Sequence, residues 1–145
     1  MKKLLLLFAA LVLSVGALAA RDRVTTDVKA LPQAAQTALA KYFPKTQVNH
    51  IKIDKDVFDT DYDVILENGT EIDFDKDGNI KEVDCGFSAV PDSLILKPIR
   101  DYVAKNFKGQ KIVGLEVNRK DYEIQLSNGV DLKFDRSGKF LRIDD

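Results

Sequence analysis

DYDVILENGTEIDFDKDGNI, at residues 61–80, returns as DYEIQLSNGVDLKFDRSGKF at residues 121–140. The two stretches align without a gap at a constant offset of 60, and Asp-Tyr, Leu, Asn-Gly, Phe-Asp and Gly recur at matching places. Self-similarity at a fixed period is the signature of a repeated structural unit. The sequence therefore predicts that the chain contains two copies of one supersecondary unit.

Apolar and polar residues alternate in both stretches, as they do in a β-strand that has one buried face. Asn-Gly interrupts the alternation at residues 68–69 and 128–129 and indicates a hairpin, because both central positions of a type I′ turn favour positive φ. A second turn follows in each copy. The predicted strands lie near residues 48–53, 61–67, 71–75 and 80–84 in the first copy, and near 112–117, 121–127, 131–135 and 140–144 in the second.

A short amphipathic helix precedes the strands in each copy. Pro32 and Pro98 suit a first helical turn, where a missing N–H costs nothing, and Pro44 and Gly109 mark the two helix ends. The helices align at an offset of 64, so the first copy holds four more residues, within the Asp-rich stretch 54–60. Each helix has one apolar stripe and needs a sheet to cover.

These elements predict an α+β fold in which two units, each a helix and four antiparallel strands, join edge to edge. The expected result is one roughly eight-stranded antiparallel sheet with both helices on one face and the other face open. We place the units at residues 21–87 and 88–145 of one continuous domain. Two separate half-domains are the alternative, but each would have a thin core.

The first twenty residues have the pattern of a secretory signal peptide. Lys2 and Lys3 precede an apolar run from Leu4 to Leu13, and an Ala-x-Ala site ends at Ala19. The run is too short to span a bilayer as a mature helix. We therefore predict that residues 1–20 are removed and that the remainder is periplasmic or secreted, with no membrane anchor.

The repeated motif resembles a known family. Tyr-x-Val-x-Leu-x-Asn-Gly-x-x-Ile-x-Phe-Asp-x-x-Gly, at residues 62–78 and in related form at 122–138, is similar to the PepSY-like periplasmic proteins of Bacteroidetes. The resemblance implies a fold similar to that of the beta-lactamase inhibitor protein, a tandem repeat whose open sheet grips an enzyme. It implies inhibition only by analogy, since fold does not fix function.

Charge is distributed unevenly between the two copies. Residues 21–87 have a net charge of −5 and residues 88–145 one of +2. In the first copy, acidic residues occupy the strand face opposite the predicted core, and we take four of them as a candidate site for an envelope protein or basic peptide. Nucleic acid is a poor partner for this field. The four candidates are Asp61, Asp63, Glu67 and Glu71.

Asp73, Asp75 and Asp77 occur at alternate positions before Gly78, which approaches the spacing of a calcium-binding loop. The flanks are strand-like rather than helical, and the second copy has Lys133 at the place of Asp73. A polar hairpin turn is the competing interpretation. Weak Ca²⁺ or cationic-ligand binding is therefore the alternative function.

Catalytic patterns are scarce in this sequence. His50 is the only histidine and Cys85 the only cysteine, so neither a multi-histidine metal site nor an internal disulfide can form. No Gly-rich phosphate loop is present, and no cofactor is expected. The sequence favours a protein-binding or inhibitor-like module over an enzyme.

Overall fold

The structure is a computed structural model that describes residues 22–144. The predicted signal peptide, residues 1–20, lies outside the described residues. Within residues 22–144 no helix is long and apolar enough to cross a membrane. The elements are β1 Arg23–Thr25, α1 Gln33–Tyr42, β2 Val48–Lys55, β3 Thr60–Leu66, β4 Glu71–Phe74, β5 Ile80–Asp84, α2 Lys97–Asn106, β6 Ile112–Val117, β7 Asp121–Leu126, β8 Asp131–Asp135 and β9 Phe140–Asp144, with 3₁₀ turns at Val28–Ala30 and Asp92–Leu94.

The strands form one sheet in the order of the chain, β1 to β9, and every neighbouring pair is antiparallel. The predicted antiparallel architecture is confirmed, and the eight predicted strands are all present. The ninth, β1, was not predicted, because three residues are too short to show an alternation. Its polar residues gave no other signal.

Strand β1 completes the repeat. Thr25 of β1 is opposite Ile51 of β2, and Val83 of β5 is opposite Leu115 of β6, which is the position 64 residues after Ile51. Strands β1 and β5 therefore hold the same place relative to the helix and strands that follow them. Each unit is a helix and four strands, β2–β5 and β6–β9, and β1 precedes the first helix as β5 precedes the second.

Both helices cover the same face of the sheet. The core contains one continuous row of cross-strand neighbours from β2 to β8, and each member is at most 2% exposed. Ala35 and Leu39 of α1 and Ile99 and Val103 of α2 belong to the same buried cluster. Burial of this apolar surface is the main force that joins the two units. The row consists of Ile51, Val64, Ile72, Val83, Leu115, Ile124 and Leu132.

The four additional residues of the first copy lengthen the β2–β3 hairpin by two residue pairs relative to β6–β7. Its tip is the turn at residues 56–59, where Asp56 N–H donates to Asp59 O at 2.9 Å. Val57 and Phe58, at the centre of this turn, are 77% and 91% exposed. The hairpin thus carries two apolar side chains beyond the body of the sheet.

Candidate functional site

The face of the sheet opposite the helices carries a transverse line of carboxylates, which we call the acidic row. Each member is the cross-strand neighbour of the next, on five adjacent strands from β3 to β7. Since neighbouring strands lie about 4.8 Å apart, the row extends for about 19 Å. Its members are Asp63, Asp73, Glu82, Glu116 and Glu123.

Basic side chains limit the acidic row at both ends. Lys52 of β2 is opposite Asp63, and Lys133 of β8 is opposite Glu123. The Nζ atom of Lys133 lies 3.8 Å from Oε2 of Glu123 and 3.4 Å from Oδ2 of Asp144. A partner that matches this face would therefore place positive charge against its centre rather than against its ends.

Crowding of carboxylates alters their titration. Burial, followed by the negative charges of Asp63, Glu82 and Glu71, raises the pKa of Asp73 to about 7, although Lys81 opposes the shift. Burial also raises the pKa of Asp63 and of Glu82. Like charges placed directly opposite each other destabilise a sheet. Stability of the fold therefore does not explain the acidic row.

The structure separates the four candidate partner-binding residues predicted from the sequence. Asp63 belongs to the acidic row, and Glu71 lies on the same face, opposite Ile65. Asp61 Oδ1 accepts a hydrogen bond from Lys81 Nζ at 2.9 Å, which partly neutralises it. Glu67 lies beyond the end of β3, at the hairpin turn. Their role in binding a partner stays a prediction.

Sequence reasoning missed Glu82, Glu116 and Glu123 as parts of this face. Acidic residues are densest in β3 and β4, whereas Glu116 and Glu123 lie in the second copy, whose net charge is positive. A signal was present, since Glu82 alternates with the core residue Val83 in a predicted strand. The pairing of β5 with β6, which brings Glu82 beside Glu116, depends on tertiary structure.

The Asp-rich turn at residues 75–78 forms local hydrogen bonds. Asp75 Oδ1 accepts from the backbone N–H of Asp77 and of Asn79, each at 2.9 Å. Burial favours a higher pKa for Asp75, but the hydrogen bonds from Asn79 and the backbone outweigh it and lower the pKa. Asp135 accepts the equivalent hydrogen bonds in the second copy. The aspartate at this position therefore stabilises the turn in both copies.

A metal-binding role for Asp73, Asp75 and Asp77 stays a prediction. Among residues 22–144 the structure places no group of three or more His, Cys, Asp or Glu side chains where they could hold a metal ion. Asp75 already uses its carboxylate to fix the turn. Binding of Ca²⁺ there would require that these hydrogen bonds be exchanged for metal contacts.

The two side chains best suited to catalysis have ordinary structural surroundings. His50 Nδ1 lies 2.7 Å from Asn49 Oδ1, a neighbouring side chain. Cys85 is half-buried, and burial raises the pKa of its thiol, while a hydrogen bond with Thr70 acts in the opposite direction. A thiol with a raised pKa is a poor nucleophile at neutral pH.

The fold and the open face define a tandem-repeat protein in which two helices cover one side of an antiparallel sheet, and no other element of residues 22–144 covers the opposite side. The chain belongs to the PepSY-like family, described as "Putative beta-lactamase-inhibitor-like, PepSY-like", which matches residues 20–61 and 60–142. No curated protein matches the chain.

Solved structures with the same fold include three that are described as putative periplasmic proteins. One from Bacteroides vulgatus, of unknown function, is 44% identical with a TM-score of 0.82, covering 86% of this chain and 100% of that one. Another from the same species is 41% identical with a TM-score of 0.79, covering 86% and 97%. The third, from Bacteroides thetaiotaomicron, is described as calcium-regulated; it is 37% identical with a TM-score of 0.81, covering 86% and 97%.

Proposed function

We propose that this chain is exported to the periplasm and acts there as a binding protein, not as an enzyme. The signal-peptide pattern of residues 1–20 supports export, and the solved relatives are described as periplasmic. The family description supports an inhibitor-like mode, in which the open sheet face docks against an envelope protein or peptide.

The observation that carries the proposal is the acidic row. Five carboxylates on five adjacent strands repel one another, and burial, together with the charges of Asp63 and Glu82, raises the pKa of Asp73 to about 7. An arrangement that costs folding free energy needs another reason to exist. A basic partner supplies it, because its cations would relieve the repulsion when they dock.

The basic ends of the acidic row give the proposed site a specific pattern. Lys52 lies at one end of the acidic row, and Lys133 and Arg142 lie at the other. These cations would repel a uniformly cationic surface that is wider than the row. A partner whose cations are limited to about 19 Å avoids this repulsion. The same field repels phosphates, so it disfavours nucleic acid and accelerates encounters with basic proteins.

Titration with a fluorescent hexalysine peptide, which spans about 20 Å when extended and so matches the length of the acidic row, tests this function by anisotropy. The row variant carries Asp63→Asn, Glu82→Gln and Glu116→Gln. The control variant removes three exposed carboxylates elsewhere, through Asp59→Asn, Asp77→Asn and Asp92→Asn. We expect the row variant to bind at least about tenfold more weakly and the control to change little, with affinity falling as salt increases. Equal losses in the two variants would refute a site at the row.

Weak calcium or cationic-ligand binding is the second candidate function. One relative, 37% identical, is described as calcium-regulated, and Asp73, Asp75 and Asp77 approach the spacing of a calcium loop. Calorimetric titration with Ca²⁺ tests it, with Asp73→Asn, Asp75→Asn and the exposed Asp92→Asn as separate variants. Binding heat that is lost in the Asp73 and Asp75 variants and retained in the Asp92 variant would favour this function. No heat from the wild type at millimolar Ca²⁺ would end it.

A further inference from the structure

Strand β9 forms an edge of the sheet, and its surroundings differ from those of its counterpart β5. Val83 of β5 is 0% exposed because β6 follows it in the sheet. Ile143 occupies the equivalent place in β9, 60 residues later, and is 51% exposed, with no further strand beyond it in the described part of the chain. An exposed edge strand with apolar side chains is a template for pairing.

The backbone of β9 is oriented for such pairing. Cys85, directly after β5, donates its N–H to Val113 O of β6 at 2.9 Å, and Val83 is opposite Leu115 in the same register, so the odd-numbered residues of β5 direct their backbone groups away from β4. The register of β8 with β9 repeats that of β4 with β5, bulge included. Ile143 therefore directs its backbone N–H and C=O towards the free edge.

The charges of β9 indicate what the edge fits. Arg142 and Asp144 flank Ile143 on the open face of the sheet, one basic and one acidic. An antiparallel copy of the same strand, centred on Ile143, places each arginine opposite the aspartate of the other copy. We propose that β9 pairs with β9 of a second copy of this chain about a twofold axis at Ile143, which joins two sheets into one.

The same charges disfavour one head-to-tail contact, in which β9 takes the place of β1 beside β2 of another copy. Repetition of the β5–β6 register between β9 and β2 of another copy would place Arg142 opposite Lys52, since Glu82 is opposite Glu116 in that register. Strand β1 already covers the edge of β2 as well. The β9–β9 contact is closed, because each edge is used once, and it keeps all helices on one side.

Sedimentation equilibrium of the exported chain, purified from the periplasmic fraction over a concentration series, tests this pairing. Arg142→Asp or Asp144→Arg alone places like charges opposite each other, so we expect each to weaken dimerisation at least about tenfold. The double variant restores opposite charges and is expected to recover the dimer. Arg119→Asp, on the β6–β7 turn, is the matched control and leaves dimerisation unchanged.

Ile143→Pro gives an independent readout. Proline removes an N–H that faces the free edge, so it blocks pairing without removing a hydrogen bond to β8. A variant that stays folded by circular dichroism and becomes monomeric supports the contact. A wild-type chain that stays monomeric up to millimolar concentration, a dimer that survives both single charge changes, or a double variant that fails to recover would overturn the proposal.

Discussion

Asp73 shows how strongly a single side chain can respond to its cross-strand neighbours. It lies between Asp63 and Glu82 in the acidic row, and Glu71 is two positions away on the same strand. Its carboxyl group is partly buried, so water screens the repulsion incompletely. The free energy that protonation relieves at this residue is available to a docking cation as well.

Stability of the chain should decrease as the pH rises through the range in which Asp73 ionises. Its pKa is 3.8 ordinarily and about 7 in the fold, so between these values the folded state binds more protons than the unfolded state. The free energy of unfolding therefore falls as pH rises. Asp73→Asn removes the contribution of Asp73 to this dependence, and we expect a gain on the order of 1 kcal/mol at about pH 8, limited by solvent screening.

Thermal unfolding of wild type and variant between about pH 4 and pH 8 measures this effect. Asp77→Asn, in the exposed turn, is the control and should follow the wild-type curve. If Asp73→Asn runs parallel to the wild type over the whole range, the raised pKa of Asp73 is wrong.

Residue patterns predicted the core well and the site only in part. Ile72 and Phe74 alternate with acidic neighbours in the sequence and are 0% exposed in the structure. Alternation reveals which face a residue occupies because its period is fixed by the strand. It does not reveal which strand is adjacent, so the contact between Glu82 and Glu116 was not predictable from it.

At the scale of elements, the β4–β5 turn packs against the start of α1. Gly78 has φ +85°, and a Cβ placed there would lie 2.7 Å from the backbone N of Ala35. Gly69, in the β3–β4 turn, has a similar φ of +84° but no atom within 4 Å of such a Cβ. Comparison of substitutions at the two glycines therefore separates the cost of backbone strain from the cost of close packing.

Gly78→Ala should destabilise the chain more than Gly69→Ala. Both alanines adopt a left-handed conformation, which costs about 1–2 kcal/mol. Only Gly78→Ala also forces the turn away from α1, and we expect that overpacking to cost on the order of 2 kcal/mol more. Urea denaturation of the two variants gives the difference directly, and equal losses would contradict close packing at Gly78.

Elements were predictable where their signals extend over several residues. Both Asn-Gly hairpins and both helices lie where the sequence placed them, because turn chemistry and apolar periodicity are local properties. Strand β1 is the exception, since its pairing with β2 is determined by the exposed edge of β2 rather than by its own three residues.

The two units share one sheet and one core, so they should unfold together. Strand β5 pairs with β6 across the boundary, and Val83 and Leu115 are opposite each other in the buried row. Neither unit can bury this row alone. Cooperative unfolding of the whole chain is therefore the expectation at the scale of the molecule.

Urea unfolding followed by amide NMR signals from both units tests this cooperativity. We expect one common midpoint for signals of both units, and we expect a chain limited to residues 21–87 to be unfolded, because it lacks the partner for β5. A separate midpoint for each unit, or a folded spectrum from the short chain, would show two independent domains instead.

Strand β1 lies before the first helix as β5 lies before the second. The order of strands and helix is therefore the same on both sides of each junction between units. Each helix is preceded by a strand, β1 or β5, that pairs with the strand following that helix. Duplication of residues 80–139 in tandem would add one more helix and four more strands, with each new junction repeating one already present. Such a chain would lengthen the sheet by one unit without a new kind of contact, as the addition of a repeat does in solenoid proteins.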